Sequence, residues 1–326
     1  MAPISPEIQV IGPRDTVTRR TFVNMALGTG AAILAGGTRL VSAAANASAA
    51  SEWKIGDITV NRLGFGAMRL TGDGIWGWPP DRENAKKVLK RAVELGVNLI
   101  DTSDAYGPEV NELLIAEALH PYPKGLVIAT KGGLTRPGPN QWEPNGRPEY
   151  LKQCVDNSLK RLRLERIDLY QLHRIDSKVP AEESLGALKE AQTAGKIRHI
   201  GLSEVSPEQI AQARKVVPIV TVQNRYNVND RKWENTLSYC EKEKLGFMPW
   251  APVGGTRGLR ESVLETIATE HNSTVYQVAL AWLLHRSPVM LPIPGTASLA
   301  HLEENVAAAS LKLTPDDWKK LDALKA

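Results

Sequence analysis

The sequence predicts a closed parallel (β/α)8 barrel with an N-terminal β-hairpin and a C-terminal helix, and three observations carry that expectation. From Ser51 onward, short β-branched runs alternate with amphipathic helical patterns, and eight such units follow one another. Each run is too apolar to leave one face in water, as in parallel strands covered by helices on the outside. A doubly wound sheet, the competing arrangement, wants a G-x-G-x-x-G loop after an early strand, and none is present.

In chain order, a short hairpin (Trp53–Asn61) turns near Gly56-Asp57. Strands follow at Leu63–Gly66, Val97–Asp101, Leu126–Lys131, Ile167–His173, Ile197–Ser203, Ile219–Asn224, Gly246–Trp250 and Val289–Pro294. Between them lie helical stretches at Asp81–Leu95, Glu109–Leu119, Pro148–Leu162, Ala181–Ala194, Pro207–Lys215 and Lys232–Lys244. The pair Ser262–His271 and Thr274–His285 precedes the last strand.

The first fifty residues differ in composition from the barrel, so 1–50 and 51–326 are separate regions. Arg19-Arg20 stands ahead of Phe22, a mildly apolar stretch runs from Met25 to Gly37, and Ala43 to Ala50 is a run of small residues. This is the layout of a secretory signal, and the adjacent arginines resemble the twin-arginine type. The expectation is a periplasmic location, with the cytoplasm as the alternative and the export machinery as a transient partner. A spanning helix needs about 20 apolar residues, so no stable membrane span is expected. Gly28-Thr29-Gly30 has no strand before it and lacks the third glycine of a dinucleotide loop.

Composition excludes more than it assigns. With 42% hydrophobic and 23% charged residues the chain is neither a disordered tail nor a coiled coil. The net charge is +4 over 326 residues. Half of it belongs to the N-terminal segment, where Arg14, Arg19, Arg20 and Arg39 outnumber Glu7 and Asp15. No basic cluster of the kind that tracks phosphate backbones remains, so no nucleic-acid partner is expected. Cys154 and Cys240 suit neither a disulfide framework nor a metal site.

A barrel of this type places its site at the C-terminal ends of the strands. There the second strand ends in Asp101 with Tyr106 in its loop, the third in Lys131 and the fourth in His173. A phenol with a solution pKa of ~10 gives up its proton reluctantly. A neighbouring ammonium favours the phenolate, and a carboxylate keeps that ammonium charged. Such a tyrosine serves as a general acid to a carbonyl oxygen, which a histidine can orient.

These residues stand within Asp101…Tyr106-Gly107, Ala129-Thr-Lys131 and Leu172-His173. With Gly201-Leu-Ser203, Val222-Gln223-Asn224 and Pro292-Ile-Pro294-Gly295-Thr296…Glu304-Asn305, they resemble the aldo-keto reductase superfamily from about Trp53 to Leu324. Gly64-Phe-Gly-Ala-Met-Arg-Leu-Thr-Gly looks most like a bacterial subgroup with pyridoxal-reductase-like members. The resemblance implies hydride transfer between NADP(H) or NAD(H) and a small carbonyl compound, in either direction, without a metal. It implies Tyr106 as proton donor, Asp101 and Lys131 as the pair that tunes it, and His173 as the residue that aligns the substrate oxygen. Gln223 would hold the nicotinamide carboxamide and Trp250 would stack on its ring. Gly66, Met68, Arg69, Ser203, Gly254, Thr296, Ser298, Glu304 and Asn305 would line the cofactor.

Two positions depart from the family pattern. Ser203 is followed by Glu204 where Asn is usual, and a carboxylate can only accept hydrogen bonds. It would influence the nicotinamide if it points inward and do nothing if it points to solvent. The cations that commonly grip the 2′-phosphate of NADP are replaced by Gly295, Thr296, Ala297 and His301, which weakens the expected preference for NADPH. The loops after strands one, three and seven would wall the substrate pocket. Trp76, Trp78 and Trp142 lie in the first and third-strand loops, which suggests a flat or apolar carbonyl compound. A metal-dependent hydrolase would need a His pattern that the six histidines do not form. A cofactor-binding subunit or sensor with little turnover is the other alternative, though all four catalytic residue types are present.

Overall fold

The computed structural model describes residues 46–254 and 262–324. The proposed targeting stretch therefore lies outside the described residues up to position 45. So does the part of the loop after the seventh barrel strand that spans 255–261.

The elements, in chain order, begin with β1 (Glu52–Ile55), β2 (Ile58–Asn61) and β3 (Phe65–Gly66). Then come α1 (Arg82–Glu94), β4 (Leu99–Asp101), α2 (Val110–Leu119), β5 (Val127–Gly132), β6 (Leu134–Thr135), β7 (Glu143–Pro144) and α3 (Pro148–Leu162). The second half comprises β8 (Ile167–Leu172), α4 (Ala181–Thr193), β9 (Ile197–Ser203), α5 (Pro207–Val216), β10 (Ile219–Gln223), α6 (Glu234–Glu243) and β11 (Gly246–Phe247). It ends with α7 (Ser262–Glu270), α8 (Val275–Arg286), α9 (Leu299–Ala307) and α10 (Pro315–Asp322).

Seven parallel strands form one curled sheet in the order β11-β10-β9-β8-β5-β4-β3. The segment 289–294 closes it without a regular ladder of its own. On one side Phe247 N donates to Val289 O and Leu291 N donates to Phe247 O. On the other, Gly64 N donates to Pro292 O and Gly66 N donates to Pro294 O. The expected eighth strand is thus reduced to a seam. Pro292 and Pro294 have no N–H to give, so the segment can only accept at those positions. Gly66 and Gly295 let the backbones meet here, since a Cβ on Gly295 would stand 2.4 Å from Gly66 O.

The barrel interior is apolar at depth and polar at its mouth. Leu99, Val127, Ala129, Leu169, Met248, Leu291 and Ile293 fill it together with Ile55 and Val60 of the antiparallel β1–β2 hairpin, which seats in the same cluster. The hairpin turn is tied to the start of β9, with Asp57 bonded to Arg198 at 2.6 Å and to His199 at 2.6 Å. Local chemistry sets the helix starts. Asp81 caps α1, while capping boxes at Ser206/Gln209 and Thr274/Gln277 open α5 and α8.

The folded body begins before Ser51. Residues Ala47–Ala50 form a 3₁₀ turn with Ala47 and Ala50 buried, and Ala47 N donates to Leu95 O at 2.8 Å. A cut within Ala47-Ser48-Ala49 would remove part of this docked turn. Among the described residues no helix is long and apolar enough to cross a membrane.

Candidate active site

The parallel register brings the expected polar residues to one layer of the mouth. Asp101 pairs with Ala129 of β5, and Lys131, two residues further on the same face, pairs with Gln171 of β8. Gln223 pairs with Ser203. All five polar side chains are buried, Lys131 completely.

Three protons on the Lys131 ammonium meet three acceptors. Nζ donates to Asp101 Oδ2 at 2.7 Å, to Thr102 O at 2.8 Å and to Tyr106 Oη at 3.1 Å. Tyr106 is therefore an acceptor toward the lysine, and its own O–H stays available to a reacting group. The His173 ring lies edge-on to Tyr106 with centroids 5.8 Å apart.

The electrostatics differ from the simplest sequence expectation. Burial pushes the Tyr106 phenol above its usual value, outweighing the Lys131 charge that pulls it down. The mouth thus keeps the phenol protonated, as a donor requires. Burial by itself would strip a proton from Lys131, but Asp101 and Tyr106 hold its pKa above the ordinary value. Burial, with Lys131, Arg174 and Arg136 nearby, holds the His173 imidazole well below its usual pKa and therefore neutral.

Gln223 Nε2 donates to Asp101 Oδ1 at 2.8 Å, and Gln171 Nε2 reaches the same oxygen at 3.2 Å. The amide expected to hold a carboxamide is thus fixed from below by the proton-donor network. Gln171 was not anticipated, although it ends an apolar strand two residues before His173. Arg174 was also missed. It donates to His173 O at 2.6 Å and to Ser203 Oγ at 2.9 Å, placing a half-buried cation between two site residues.

Glu204 points neither to solvent nor freely into the mouth. Its Oε1 accepts from Arg225 N at 2.6 Å and from Trp250 Nε1 at 2.7 Å, while its backbone sits at φ +56°. That left-handed conformation is unfavourable for a glutamate, and the two hydrogen bonds hold it. The Arg225 guanidinium lies 5.5 Å from the Trp250 ring centre. Trp250 is therefore a platform fixed at its edge by a carboxylate.

Around the rest of the groove, Met68 and Arg69 form a 3₁₀ turn after β3, and Arg69 lies beside Gly295 without an ion-pair partner among the described residues. Gly254 adopts φ +80°. Thr296 Oγ1 accepts from Ser298 N at 3.0 Å, and Ser298 caps α9 by accepting from His301 N. Asn305 is buried and Glu304 half-buried on that helix, and neither side chain bonds to a described residue. These groups and the Trp250 platform fit an elongated polar cofactor with one flat ring. No group of three His, Cys, Asp or Glu side chains that could hold a metal occurs among the described residues.

The three tryptophans separate. Trp142 stands edge-on over Tyr106 and His173, with centroids 6.2 and 6.4 Å away. Arg136 lies 3.6 Å from the Trp142 ring centre and 5.6 Å from that of Trp76, and it donates to Gly74 O, Ile75 O, Ala105 O and Gln141 O. This clamp, which the sequence reading missed, joins the loops after the first three barrel strands. Trp78 is 39% exposed and stacks under Arg82 instead, so it is not placed at the mouth.

The chain belongs to the aldo/keto reductase family, whose profile matches residues 62–326. It is 50% identical over 282 residues to an uncharacterised oxidoreductase of Schizosaccharomyces pombe, covering 86% of this chain and 92% of that one. It is 44% identical over 280 residues to pyridoxine 4-dehydrogenase of Escherichia coli, covering 84% and 98%. Among solved structures, it matches an aldo/keto reductase of Klebsiella pneumoniae in complex with NADP and acetate, with TM-score 0.68, 25% identity, and 82% and 92% of the two chains covered. The resemblance carried by the motifs is thus borne out, and the protein is an NAD(P)H-dependent enzyme.

Proposed function

We propose that the enzyme interconverts an aldehyde or ketone and the corresponding alcohol, with Tyr106 moving the proton at the substrate oxygen. One observation carries this reading. The Lys131 ammonium is saturated by Asp101, Thr102 and Tyr106, so the Tyr106 hydroxyl proton is left facing the mouth beside a neutral His173. A reduced nicotinamide bound at the mouth would be the hydride source for the carbonyl carbon. His173 Nδ1 lies 3.1 Å from Ser103 Oγ, and Nε2 is left to hold the substrate oxygen in line with the Tyr106 O–H. As the oxygen gains charge, Tyr106 passes its proton to it, and Lys131 stabilises the phenolate that remains. Gln223, Ser203 and the pinned Trp250 would hold the nicotinamide end, and Met68, Arg69, Thr296, Ser298, Glu304 and Asn305 would line the remainder. Trp142 closes the pocket with an apolar face, which suits a flat substrate ring.

The pyridoxine 4-dehydrogenase relative makes pyridoxine and pyridoxal the first pair to assay, with simple aromatic aldehydes beside them. Turnover of reduced nicotinamide with any of these supports the reading. Tight cofactor binding with no turnover across the panel would favour a sensor instead. The neutral turn at Thr296 and Ala297 supports a weak preference for NADPH over NADH. The Arg19-Arg20 motif supports twin-arginine export to the periplasm, which cell fractionation tests; uncleaved protein confined to the cytoplasm would contradict it.

A further inference from the structure

Ser103 joins a second set of buried groups that the steps above do not use. Its Oγ accepts the Ala105 N–H at 3.1 Å. It also lies 3.1 Å from Asp104 Oδ1, 3.2 Å from the Lys131 carbonyl and 3.1 Å from His173 Nδ1. A hydroxyl has one proton and two lone pairs. With one lone pair used by Ala105, a single proton and a single lone pair remain for three neighbours. The Lys131 carbonyl can only accept, and it already receives Asp104 N–H at 3.2 Å. The arrangement is therefore decided between Asp104 and His173.

We propose that Asp104 is a positioning residue that selects the tautomer of His173 through the Ser103 hydroxyl, and with it whether the mouth offers the substrate oxygen a hydrogen-bond donor or an acceptor. The proposal rests on the reading of His173 as the group that holds the substrate oxygen.

When Asp104 is ionised, the Ser103 proton goes to the carboxylate, the stronger acceptor. Ser103 then accepts from His173 Nδ1–H, and Nε2 presents a lone pair. That arrangement receives the O–H of an alcohol. When Asp104 is protonated it donates to Ser103, and Ser103 donates to His173 Nδ1. The imidazole proton then sits on Nε2, where it meets a carbonyl oxygen. One proton on Asp104 thus decides whether the mouth suits a carbonyl or an alcohol.

The surroundings put that proton in the useful range. Burial, reinforced by Glu112 of α2, pushes the Asp104 carboxyl up to about 7, against the lowering effects of Cys154 and Arg161 on α3 and of Ser103 itself. Tyr150, also on α3, and Cys154 are both held protonated by burial. Around the imidazole, Tyr106 titrates above its usual value and His173 well below its own, while Lys131, Arg136 and Arg174 stay charged. Asp104 is thus the member of this network that changes charge near neutrality. An open cavity of about 250 Å³ lined by Asp104, Tyr150, Cys154 and Arg161 lets it exchange protons with water.

The test is the ¹⁵N spectrum of histidine-labelled full-length enzyme with bound NADP⁺, the His173 signal being assigned by its loss in His173→Gln. The wild type is expected to change from the Nε2–H to the Nδ1–H tautomer between about pH 6 and pH 8. Asp104→Asn, whose amide oxygen accepts from the Cys154 thiol and whose N–H group donates to Ser103, should stay Nε2–H throughout, and Ser103→Ala should lose the pH response. In parallel, the affinity of the NADP⁺-bound wild type for a non-ionisable, non-reacting carbonyl ligand should fall by about tenfold over that range, the worth of one neutral hydrogen bond. That slope should flatten in Asp104→Asn. A wild type and Asp104→Asn with the same tautomer at every pH would overturn the proposal. A His173→Gln enzyme with wild-type kcat/KM would instead overturn the reading of His173 itself.

Discussion

The Glu204 carboxylate accepts the indole N–H of Trp250 at 2.7 Å and the backbone N–H of Arg225 at 2.6 Å with the same oxygen. Glu204 is thereby committed to fixing the Trp250 ring, the proposed aromatic platform for the nicotinamide. Glu204→Ala should weaken nicotinamide cofactor binding by about tenfold, because a hydrogen bond to a charged group is lost and the indole gains freedom. Glu204→Gln keeps an acceptor and should stay close to wild type. Fluorescence titration with NADPH reads both, and equal affinities in the two variants would remove the assigned role.

Lys131 and Asp101 form a fully buried pair. Lys131→Met leaves Asp101 with two weak amide donors in place of an ammonium, and a buried carboxylate without its cation costs about 3–5 kcal/mol. Chemical denaturation should show a loss of that size along with the loss of turnover. A Lys131→Met enzyme of wild-type stability would contradict the account of the pair.

Stability should also report the Asp104 carboxyl. Its folded pKa is raised to about 7, above the value of an exposed carboxylate, so the folded state holds the proton more tightly than the unfolded chain. The Asp104 contribution is full below about pH 4 and is lost as pH rises toward about 7. The melting temperature of Asp104→Asn should therefore gain on that of the wild type as pH increases across this window. Parallel curves would place the titration elsewhere.

Cofactor choice follows from the neutral turn after the barrel seam. Thr296, Ala297 and an exposed His301 supply no fixed cation, and Arg69, beside Gly295, has no ion-pair partner among the described residues. The ratio of kcat/KM for NADPH over NADH should stay below about a hundredfold, since Thr296, Ala297 and His301 offer no fork-like arginine contact to a phosphate. Arg69→Ala should lower the ratio further. A larger wild-type ratio, untouched by Arg69→Ala, would require another phosphate site.

The pocket wall gives a specificity prediction. Trp142 meets Tyr106 and His173 edge-on, whereas Trp78 faces outward under Arg82. Trp142→Ala should raise KM for a flat aromatic aldehyde by about tenfold, in line with the worth of a large aromatic contact, and Trp78→Ala should leave it unchanged. Steady-state kinetics on the two variants separates the roles.

The mouth residues could be read from the sequence because each ends an apolar run: Asp101, Lys131 and His173 interrupt patterns that are otherwise buried. Barrel geometry then required them to converge. The seam was harder to describe in advance, since Val289–Pro294 reads as a strand while its prolines remove the donors of a ladder. What stayed hidden were partnerships set by side-chain direction. Ser103 meets His173 across 70 residues of chain and Glu204 meets Trp250 across 46, and no local pattern encodes either contact. The Arg136 clamp is of the same kind, because its acceptors are backbone carbonyls in three loops. At the boundary after residue 50 one feature has two uses: a run of small residues suits a cleavage region, and it equally lets the Ala47–Ala50 turn pack closely against Leu95.

The central claim is that Tyr106, held by Lys131, moves the proton at the substrate oxygen. Single-turnover reduction of an aldehyde by Tyr106→Phe, measured beside its NADPH affinity, tests it most directly. The account predicts a loss of about 10²–10⁴-fold in rate with cofactor affinity unchanged. A Tyr106→Phe enzyme that turns over within about threefold of wild type would contradict it.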